Sequence, residues 1–470
     1  MRLFPPAESV AAATPASRDR VIDLLRILSL SVVVAGHLLL VVLYFDASCP
    51  EPRQCVRAAG ALDNSAALQW ATWGLQIMPL FFFAGGAANV GSWHEGASWG
   101  GWLFARCQRL YRPALWFVAA IVLLLLVCER FVPSDALAIA TPQVFVLLWF
   151  LGVYTVCLAF VPLLAKIATG RQLALVVAVL FGLAALIDQA RRTWGSDWRV
   201  GAANFLFVWL IPTAIGAGYR RGLVARPVGA AMFAGALALD LSLCLLGPYA
   251  VSMLSTADSD RISNFTPPSM LLAGHSVCLC GLVVLVAPQL RAFASRPQVW
   301  RFVTVGNSGA MTLYLWHWAA LFGMDGALIV AGLLPVSNAS PGLWPSKAQQ
   351  APLFLFLVFA AFLLLRPLET KPLPWWDDSV TARGWRNPVV GALLLCAGAS
   401  TLVLARLGPQ AVGLWGTAAL AVFLVAARAS ATTVISEASA SEASASEASA
   451  SEAFVSEASR KSPEQAPETS

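Results

Sequence analysis

Long apolar stretches recur along almost the whole chain, and each is about as long as a helix that crosses a membrane. Such a helix needs about 20 mostly apolar residues. Stretches of roughly that length run over residues 25–45, 68–90, 114–131, 143–165, 172–188, 203–219, 228–250, 269–290, 302–322, 351–366, 388–406 and 410–428. Charged residues make up only 12% of the chain, about half of the share in soluble domains. We therefore predict an all-α, polytopic membrane helix bundle of about 12 transmembrane helices, a ten-span core plus two.

Composition divides the chain into four segments. Residues 1–20 are predicted to be a cytoplasmic N-terminal segment, residues 21–387 the ten-span membrane domain, and residues 388–428 two additional transmembrane helices. Residues 429–470 contain a repeated Ser-Glu-Ala-Ser-Ala unit and few large apolar side chains, so they cannot bury a core. We predict that they form a disordered, low-complexity cytoplasmic tail.

The positions of Lys and Arg predict the orientation in the membrane. With the N-terminus inside, 22 of the 31 Lys and Arg residues fall on the cytoplasmic side and nine outside. The positive-inside rule then places both termini in the cytoplasm of a multi-pass inner-membrane protein. Three external arginines, Arg191, Arg192 and Arg199, fit this orientation least well. The basic residues form short clusters rather than a continuous stripe, which argues against nucleic-acid binding.

The cysteines do not form a metal-binding pattern. No CxxC pair with zinc spacing is present, and most of the nine cysteines lie within apolar runs. Cys49 and Cys55 instead flank a polar stretch in a predicted external loop, where an oxidising compartment favours disulfides. A disulfide bridge between Cys49 and Cys55 and two free thiols both fit the sequence. We predict no metal site and no permanently bound cofactor.

His37 lies in the middle of the first apolar run, where an ionisable side chain is costly and is by default a functional candidate. Arg26 stands eleven residues earlier, which places it within about 20° of the same helix face and about 16 Å nearer the cytoplasm. Asp23 is three residues before Arg26 and is predicted to pair with it. His37 is either a general base, because imidazole titrates near neutral pH, or a residue that only hydrogen-bonds a neighbouring helix.

Three arginines precede the third apolar run. Arg106, Arg109 and Arg112 are spaced three residues apart and are followed at once by Pro113, so they drift around one side of a helix at its cytoplasmic end. Because a guanidinium group matches the geometry of phosphate, they are candidates for an anion site. The positive-inside rule alone also explains them.

Two further segments are unusual for membrane spans. The stretch Gly306–His317 includes Ser308 and Tyr314 and is the most polar of the apolar runs; its terminal histidine is either part of a site or a satisfied interior residue. The stretch Met78–Gly86 contains Pro79, which is expected to kink the second span, and two glycines that permit close helix contact.

Taken in order, these four segments resemble the acyltransferase 3 family, integral-membrane O-acyltransferases that modify surface glycans. Arg26 and His37 match its R-x10-H spacing, and the second segment is similar to its run of Phe residues that ends in small residues. The arginine cluster is similar to its R-x-x-R motif, although Arg112 is inserted before the proline. The late polar segment is similar to its Ser…Tyr-Leu-x-His pattern. The resemblance covers about residues 20–366.

The resemblance implies a reaction. Acyl-CoA, most often acetyl-CoA, binds from the cytoplasm as donor substrate, and the acyl group passes to a hydroxyl of an extracytoplasmic carbohydrate, a lipid-linked glycan or a related acceptor. His37 is the implied catalytic base. The residues implied to bind the phosphates of CoA are Arg26, Arg106, Arg109 and Arg112. The residues implied to support the site are Asp23, Ser308, Tyr314 and His317.

Two other functions fit a chain of this kind. A twelve-span layout with both ends inside is common among secondary transporters, and polar residues within spans mark transport paths, so a transporter or flippase for an envelope precursor is one alternative. However, no inverted sequence repeat relates the two halves, and the in-span acids Asp188 and Asp240 do not form a carboxylate chain. A non-catalytic partner in envelope synthesis is the other alternative. Neither function needs an R-x10-H spacing together with an arginine pair, so the enzyme is favoured.

Overall fold

The computed structural model describes residues 6–15, 18–46, 48, 56–62, 65–128, 130, 143–194, 198–254, 261–335, 343–411 and 413–434. Cys49 and Cys55, for which a disulfide bridge and two free thiols both fit the sequence, lie outside these residues, and so does the repetitive segment from Ser436 onward. The last described helix continues to Ser430 and is followed by a short strand at Thr432–Thr433. The regular structure therefore extends a few residues past position 429, where the tail was predicted to begin.

Helices form most of the described chain, as the apolar runs predict. They are α1 (Ala7–Ala12), α2 (Arg20–Leu40), α3 (Ala66–Leu75), α4 (Met78–Val90), α5 (Trp99–Cys128), α6 (Leu148–Ala159), α7 (Val161–Leu164), α8 (Gly170–Trp194), α9 (Trp198–Gly201), α10 (Asn204–Arg220), α11 (Arg226–Leu246), α12 (Met270–Ala294), α13 (Pro297–Asn307), α14 (Ala310–Ala331), α15 (Leu343–Thr370), α16 (Arg386–Ala411) and α17 (Gly413–Ser430). The strands are β1 (Val41–Phe45), β2 (Val56–Gly60), β3 (Val380–Thr381) and β4 (Thr432–Thr433).

Ten segments of the described chain are long and apolar enough to cross a membrane. The helices α3 and α4 together form one of them, Ala66–Val90. Two predicted spans correspond to shorter apolar helices, Gln143–Ala159 and Trp415–Ser430. The all-α, multi-pass membrane bundle is thus confirmed, whereas the total of twelve spans stays a prediction.

The first apolar run changes from helix to strand before it ends. Asp19 caps α2 by accepting a hydrogen bond from the Val21 amide at 3.0 Å. After Leu40 the chain continues as β1, which pairs antiparallel with β2. Four of the five residues in Val41–Phe45 are β-branched or aromatic and so favour a strand. The apolar run alone does not distinguish helix from strand, which is why the predicted span extended to residue 45.

The second span breaks between α3 and α4 rather than bending at Pro79. Pro79 lies in the first turn of α4, where its missing N–H would be unpaired anyway. The glycines of this segment bring α4 close to α10. A Cβ atom added to Gly86 would collide with the Thr213 carbonyl, and one added to Gly216 would collide with the Phe83 carbonyl. Close backbone contact of this kind is typical of membrane helix pairs.

The helix α16, which follows the predicted ten-span core, packs into the same hydrophobic core. A Cβ atom added to Gly152 of α6 would lie 2.7 Å from the Gly398 carbonyl oxygen. The Thr401 hydroxyl lies 3.4 Å from the Tyr111 hydroxyl of α5. Close packing on both α5 and α6 makes α16 part of the wall of the bundle.

The bundle has a basic end and a far end. The basic end is defined by Arg20, Arg220 and Arg291, at the start of α2 and near the ends of α10 and α12. The far end is where α2 gives way to β1. The functional side chains can be placed by their height along α2.

A buried ion pair at the far end explains how Arg191, one of the three predicted external arginines, is accommodated there. Arg191 lies 2.9 Å from Asp188, and both side chains are buried. Asp188 also accepts hydrogen bonds from Asn204 at 3.1 Å and from the Met270 amide at 2.7 Å. The charge of Arg191 is therefore balanced within the protein, and the pair joins α8, α10 and α12.

Candidate active site

His37 and His317 contact each other although they lie on helices far apart in the sequence. His37 Nδ1 of α2 lies 2.8 Å from His317 Nε2 of α14, and the two rings are within 6° of parallel. His317 is fully buried, and its Nδ1 lies 2.9 Å from the Leu313 carbonyl oxygen. The Trp318 ring packs edgewise on His37, with 4.4 Å between centroids. The two histidines named from the sequence thus form one unit.

The hydrogen bonds fix the protons of this unit when both rings are neutral. A carbonyl oxygen can only accept a hydrogen bond, so His317 Nδ1 carries a proton and donates a hydrogen bond to the Leu313 carbonyl oxygen. His317 Nε2 is then an acceptor, and His37 Nδ1 donates to it. A neutral imidazole has one donor and one acceptor nitrogen, so His37 Nε2 is left unprotonated. The arrangement therefore presents a base, held in one tautomer by a second histidine.

His37 lines a cavity of about 450 Å³ that extends to the β1–β2 hairpin at the far end. The aromatic residues that line it are Trp149, Phe265, Tyr314 and Trp318. Gln76 and Gln143 also line it and carry side chains that can hydrogen-bond. Aromatic faces and a few polar groups around a base suit a small polar molecule with apolar faces.

Arg26 and Arg106 meet around Tyr154, a residue that no sequence pattern marks. Both guanidinium groups interact electrostatically with the Tyr154 hydroxyl. That hydroxyl also accepts a hydrogen bond from Asn89 Nδ2 at 3.1 Å. Gly85 leaves room for the Tyr154 side chain, since a Cβ atom added to Gly85 would lie 2.5 Å from the Tyr154 ring. Two of the four arginines predicted to bind the donor, Arg26 and Arg106, are thus both within electrostatic range of the Tyr154 hydroxyl.

Arg109 lies beside Arg106 on α5 and is exposed at the basic end. Arg106 stacks on the Trp102 ring, with its guanidinium carbon 4.8 Å from the ring centroid. The positive charge of Arg109 repels that of Arg106. An anion bound between the two would relieve this repulsion.

The predicted pairing of Asp23 with Arg26 is wrong. Asp23 instead accepts from Arg18 Nε at 2.6 Å, because the chain that precedes α2 brings Arg18 back over the first turn of the helix. The Asp23 carbonyl accepts a hydrogen bond from Asn307 at 2.9 Å, which joins α13 to α2. Arg26 is left to interact with the Tyr154 hydroxyl.

Arg112 is held apart from the other two arginines of its cluster. It forms an ion pair with Asp377 at 2.6 Å and donates to the Glu369 carbonyl. Both partners belong to the region where α15 ends and the chain turns toward α16. This guanidinium group already has a carboxylate, so we leave Arg112 out of the proposed anion site.

The two remaining predicted residues lie at different heights. Tyr314 lines the His37 cavity, and its hydroxyl donates to the Leu147 carbonyl oxygen at 2.7 Å. Ser308 ends α13 at the turn before α14, and its hydroxyl bonds the Val305 carbonyl of its own helix. Tyr314 thus shapes the cavity around the base, whereas Ser308 shapes the turn that starts α14.

A buried histidine pair lines a cavity within the bundle, and arginines lie nearer the basic end, an arrangement that suits acid–base chemistry inside a membrane protein. The chain belongs to the acyltransferase 3 family: the family model described as an acyltransferase domain matches residues 19–366. No curated protein and no solved structure matches the chain. It is therefore an acyltransferase embedded in the membrane, and the matched residues include His37, His317 and the four arginines predicted to bind the donor.

Proposed function

We propose that this enzyme transfers an acetyl group from cytoplasmic acetyl-CoA to a hydroxyl of a carbohydrate or lipid-linked glycan on the other side of the plasma membrane. The observation that carries the proposal is the hydrogen bond between His37 and His317, because it leaves one imidazole nitrogen free as a base inside the cavity. In this proposal the basic end faces the cytoplasm, and both chain termini lie there.

The donor approaches from the basic end. Arg26 and Arg106 supply positive charge around Tyr154, and guanidinium groups bind phosphates well. Arg26 and His37 are on nearly the same face of α2, about 16 Å apart along its axis. The pantetheine arm of CoA spans this gap, so that the thioester lies at His37 while the pyrophosphate stays with the arginines.

The acceptor occupies the cavity that extends to the far end. Trp149, Phe265 and Trp318 offer aromatic faces to the apolar faces of a sugar ring. Gln76 and Gln143 can hydrogen-bond its hydroxyl groups. Because the cavity reaches His37, one hydroxyl of the acceptor can lie within reach of the base.

The transfer is direct, without an acyl-enzyme intermediate. The acceptor oxygen forms a bond to the thioester carbonyl carbon while its proton passes to His37 Nε2. The C–S bond then breaks, and the CoA thiolate takes the proton from His37. His317 accepts a hydrogen bond from His37 Nδ1 throughout and stabilises the imidazolium that forms in between.

Acetyl-CoA turnover by protein reconstituted in liposomes tests the proposal. Release of the CoA thiol is followed with acetyl-CoA outside the vesicles and an oligosaccharide trapped within. The His37→Ala variant should lose at least about 100-fold in rate, the contribution of a positioned general base. His94→Ala is the matched control, because His94 is exposed in a loop and should leave the rate unchanged. Equal turnover by His37→Ala and the wild type would rule out the assigned base.

A further inference from the structure

A second cluster of arginines surrounds a cavity at the basic end. The cavity has a volume of about 400 Å³, and its charged lining residues are Arg18, Asp19, Arg20, Arg220 and Arg291. They come from three places in the chain: the start of α2, the end of α10 and the last turns of α12. Convergence of four guanidinium groups on one carboxylate is unfavourable unless an anion joins them.

The carboxylates nearby offset only part of the charge of this cluster. Asp19 lines the cavity and also caps α2 through the Val21 amide, so one negative charge faces four positive ones, and Asp23 pairs with Arg18. Among the ion pairs of the described residues, none includes Arg20, Arg220 or Arg291. Three guanidinium groups therefore face the cavity without a carboxylate partner in the described part of the chain.

Aromatic residues lie among the charges of the cavity. The guanidinium carbon of Arg20 lies 4.8 Å from the centroid of the Trp300 ring, and Trp300 is itself fixed by a hydrogen bond to Thr14 at 2.6 Å. The Tyr219 hydroxyl is within electrostatic range of Asp19, Arg220 and Arg291. A stacked guanidinium group, such as that of Arg20, loses less freedom on binding than a free one.

The positive-inside rule does not by itself produce this arrangement. It places arginines at one end of spans, and Arg171 and Arg226 at the starts of α8 and α11 fulfil it without lining the cavity. The distinguishing feature of Arg20, Arg220 and Arg291 is that they converge on a common space.

We infer that this cavity binds the 3′-phosphate at the adenosine end of acyl-CoA. CoA carries two separate anionic groups, the pyrophosphate and the ribose 3′-phosphate. Along α2 the order is His37, Arg26 and then Arg20, with Arg20 about 9 Å beyond Arg26. Thioester, pyrophosphate and 3′-phosphate follow each other in the same order in the donor. The inference rests on the proposed function, since it presupposes CoA as the donor.

The test compares binding of CoA with binding of dephospho-CoA, which lacks only the 3′-phosphate. Dissociation constants are measured with purified protein in nanodiscs of phosphatidylcholine. The wild type should bind CoA about tenfold more tightly, in keeping with a few charge-assisted hydrogen bonds. In Arg220→Gln/Arg291→Gln this ratio should fall to about one, mainly through weaker CoA binding. The matched control, Arg171→Gln/Arg226→Gln, removes the same charge and should keep the ratio.

Each outcome separates the two proposals. If both ligands bind and the cavity variant keeps the wild-type ratio, the 3′-phosphate site is wrong although the donor is CoA. If neither ligand binds and acetyl-CoA is not turned over, the proposed donor itself is wrong. A lipid phosphate could use the same chemistry, so retention of phosphatidylglycerol is measured by native mass spectrometry. Loss of bound phosphatidylglycerol in the cavity variant, with the ratio unchanged, would assign the cavity to a lipid headgroup instead.

Discussion

The second histidine can be tested separately from the base it contacts. Replacement of His317 by Ala leaves His37 Nδ1 without its acceptor, so the base is no longer held in one tautomer. We expect kcat to fall by about 10- to 100-fold, less than on loss of His37 itself. KM for acetyl-CoA should stay nearly constant, because the arginines that face the donor are unchanged. Steady-state kinetics in liposomes provides the measurement.

A conservative variant controls for damage to the fold. His317 is fully buried, so removing its ring could disturb the packing of α14. The amide oxygen of His317→Gln can still accept a hydrogen bond, and this variant should recover part of the lost kcat. If Ala and Gln variants were equally impaired, or if KM rose together with the loss of kcat, a positioning role for His317 would be untenable.

At the scale of single residues, the sequence predicts side chains whose chemistry is unusual for their surroundings. His37 and His317 stand out because imidazoles are rare in apolar runs. Tyr154 and Asn89 do not, because tyrosine and asparagine near span ends have many explanations. The partner of Asp23 could not be predicted from the sequence either. Helix spacing favours Arg26, but the path of the chain before α2 brings Arg18 nearer. Such contacts depend on tertiary packing rather than on local spacing.

At the scale of helices, the ion pair between Arg112 and Asp377 joins α5 to the segment that leads into α16. Breaking a largely buried pair leaves an uncompensated charge, and each single change, Arg112→Gln or Asp377→Asn, should destabilise the fold by about 2 to 3 kcal/mol. The double variant should lose less than the sum, with a coupling of about 0.5 to 3 kcal/mol. Unfolding in mixed detergent micelles measures all three free energies.

The same two variants also test whether Arg112 belongs to the donor site. Because Arg112 is paired with Asp377, we expect CoA to bind equally well to Arg112→Gln and Asp377→Asn, apart from any loss of folded protein. If Arg112→Gln alone weakened CoA binding, while Asp377→Asn did not, Arg112 would belong to the donor site after all.

The helices themselves follow closely from the apolar runs, and the exceptions have local causes. Val41–Phe45 continues an apolar run but pairs as a strand with β2, because β-branched and aromatic residues suit both states. Pro79 lies at the start of a helix rather than at a bend within one, since proline is favoured in the first turn, where its missing N–H costs no hydrogen bond. Run length and composition fix where helices can form, and neighbouring elements decide where each one stops.

At the scale of the whole molecule, the two helices beyond the family match are part of the folded core. The match ends at residue 366, yet Leu394, Ala397 and Leu404 of α16 are fully buried. Truncation after Thr370 removes these residues and exposes the faces of α5 and α6 that α16 covers. We expect the shortened protein to lose its monodisperse peak in size-exclusion chromatography and its cooperative thermal transition.

Truncation after Val434 is the matched control. It removes only the polar repetitive segment, whose composition cannot contribute a packed core. This variant should keep the thermal midpoint and the acetyl-CoA turnover of the full chain. Full activity of the protein truncated after Thr370 would show that α16 and α17 are dispensable, contrary to their packing.

The distance in sequence between His37 and His317 has a consequence for how the enzyme is made. The first histidine enters the membrane at the start of synthesis, whereas the second leaves the ribosome only after some 280 further residues. Until α14 has inserted and packed against α2, His37 has no partner to orient it. Under the proposed function, a nascent chain therefore carries its arginines at the membrane surface without consuming thioesters, and hydrolysis of the donor becomes possible only when the bundle is complete.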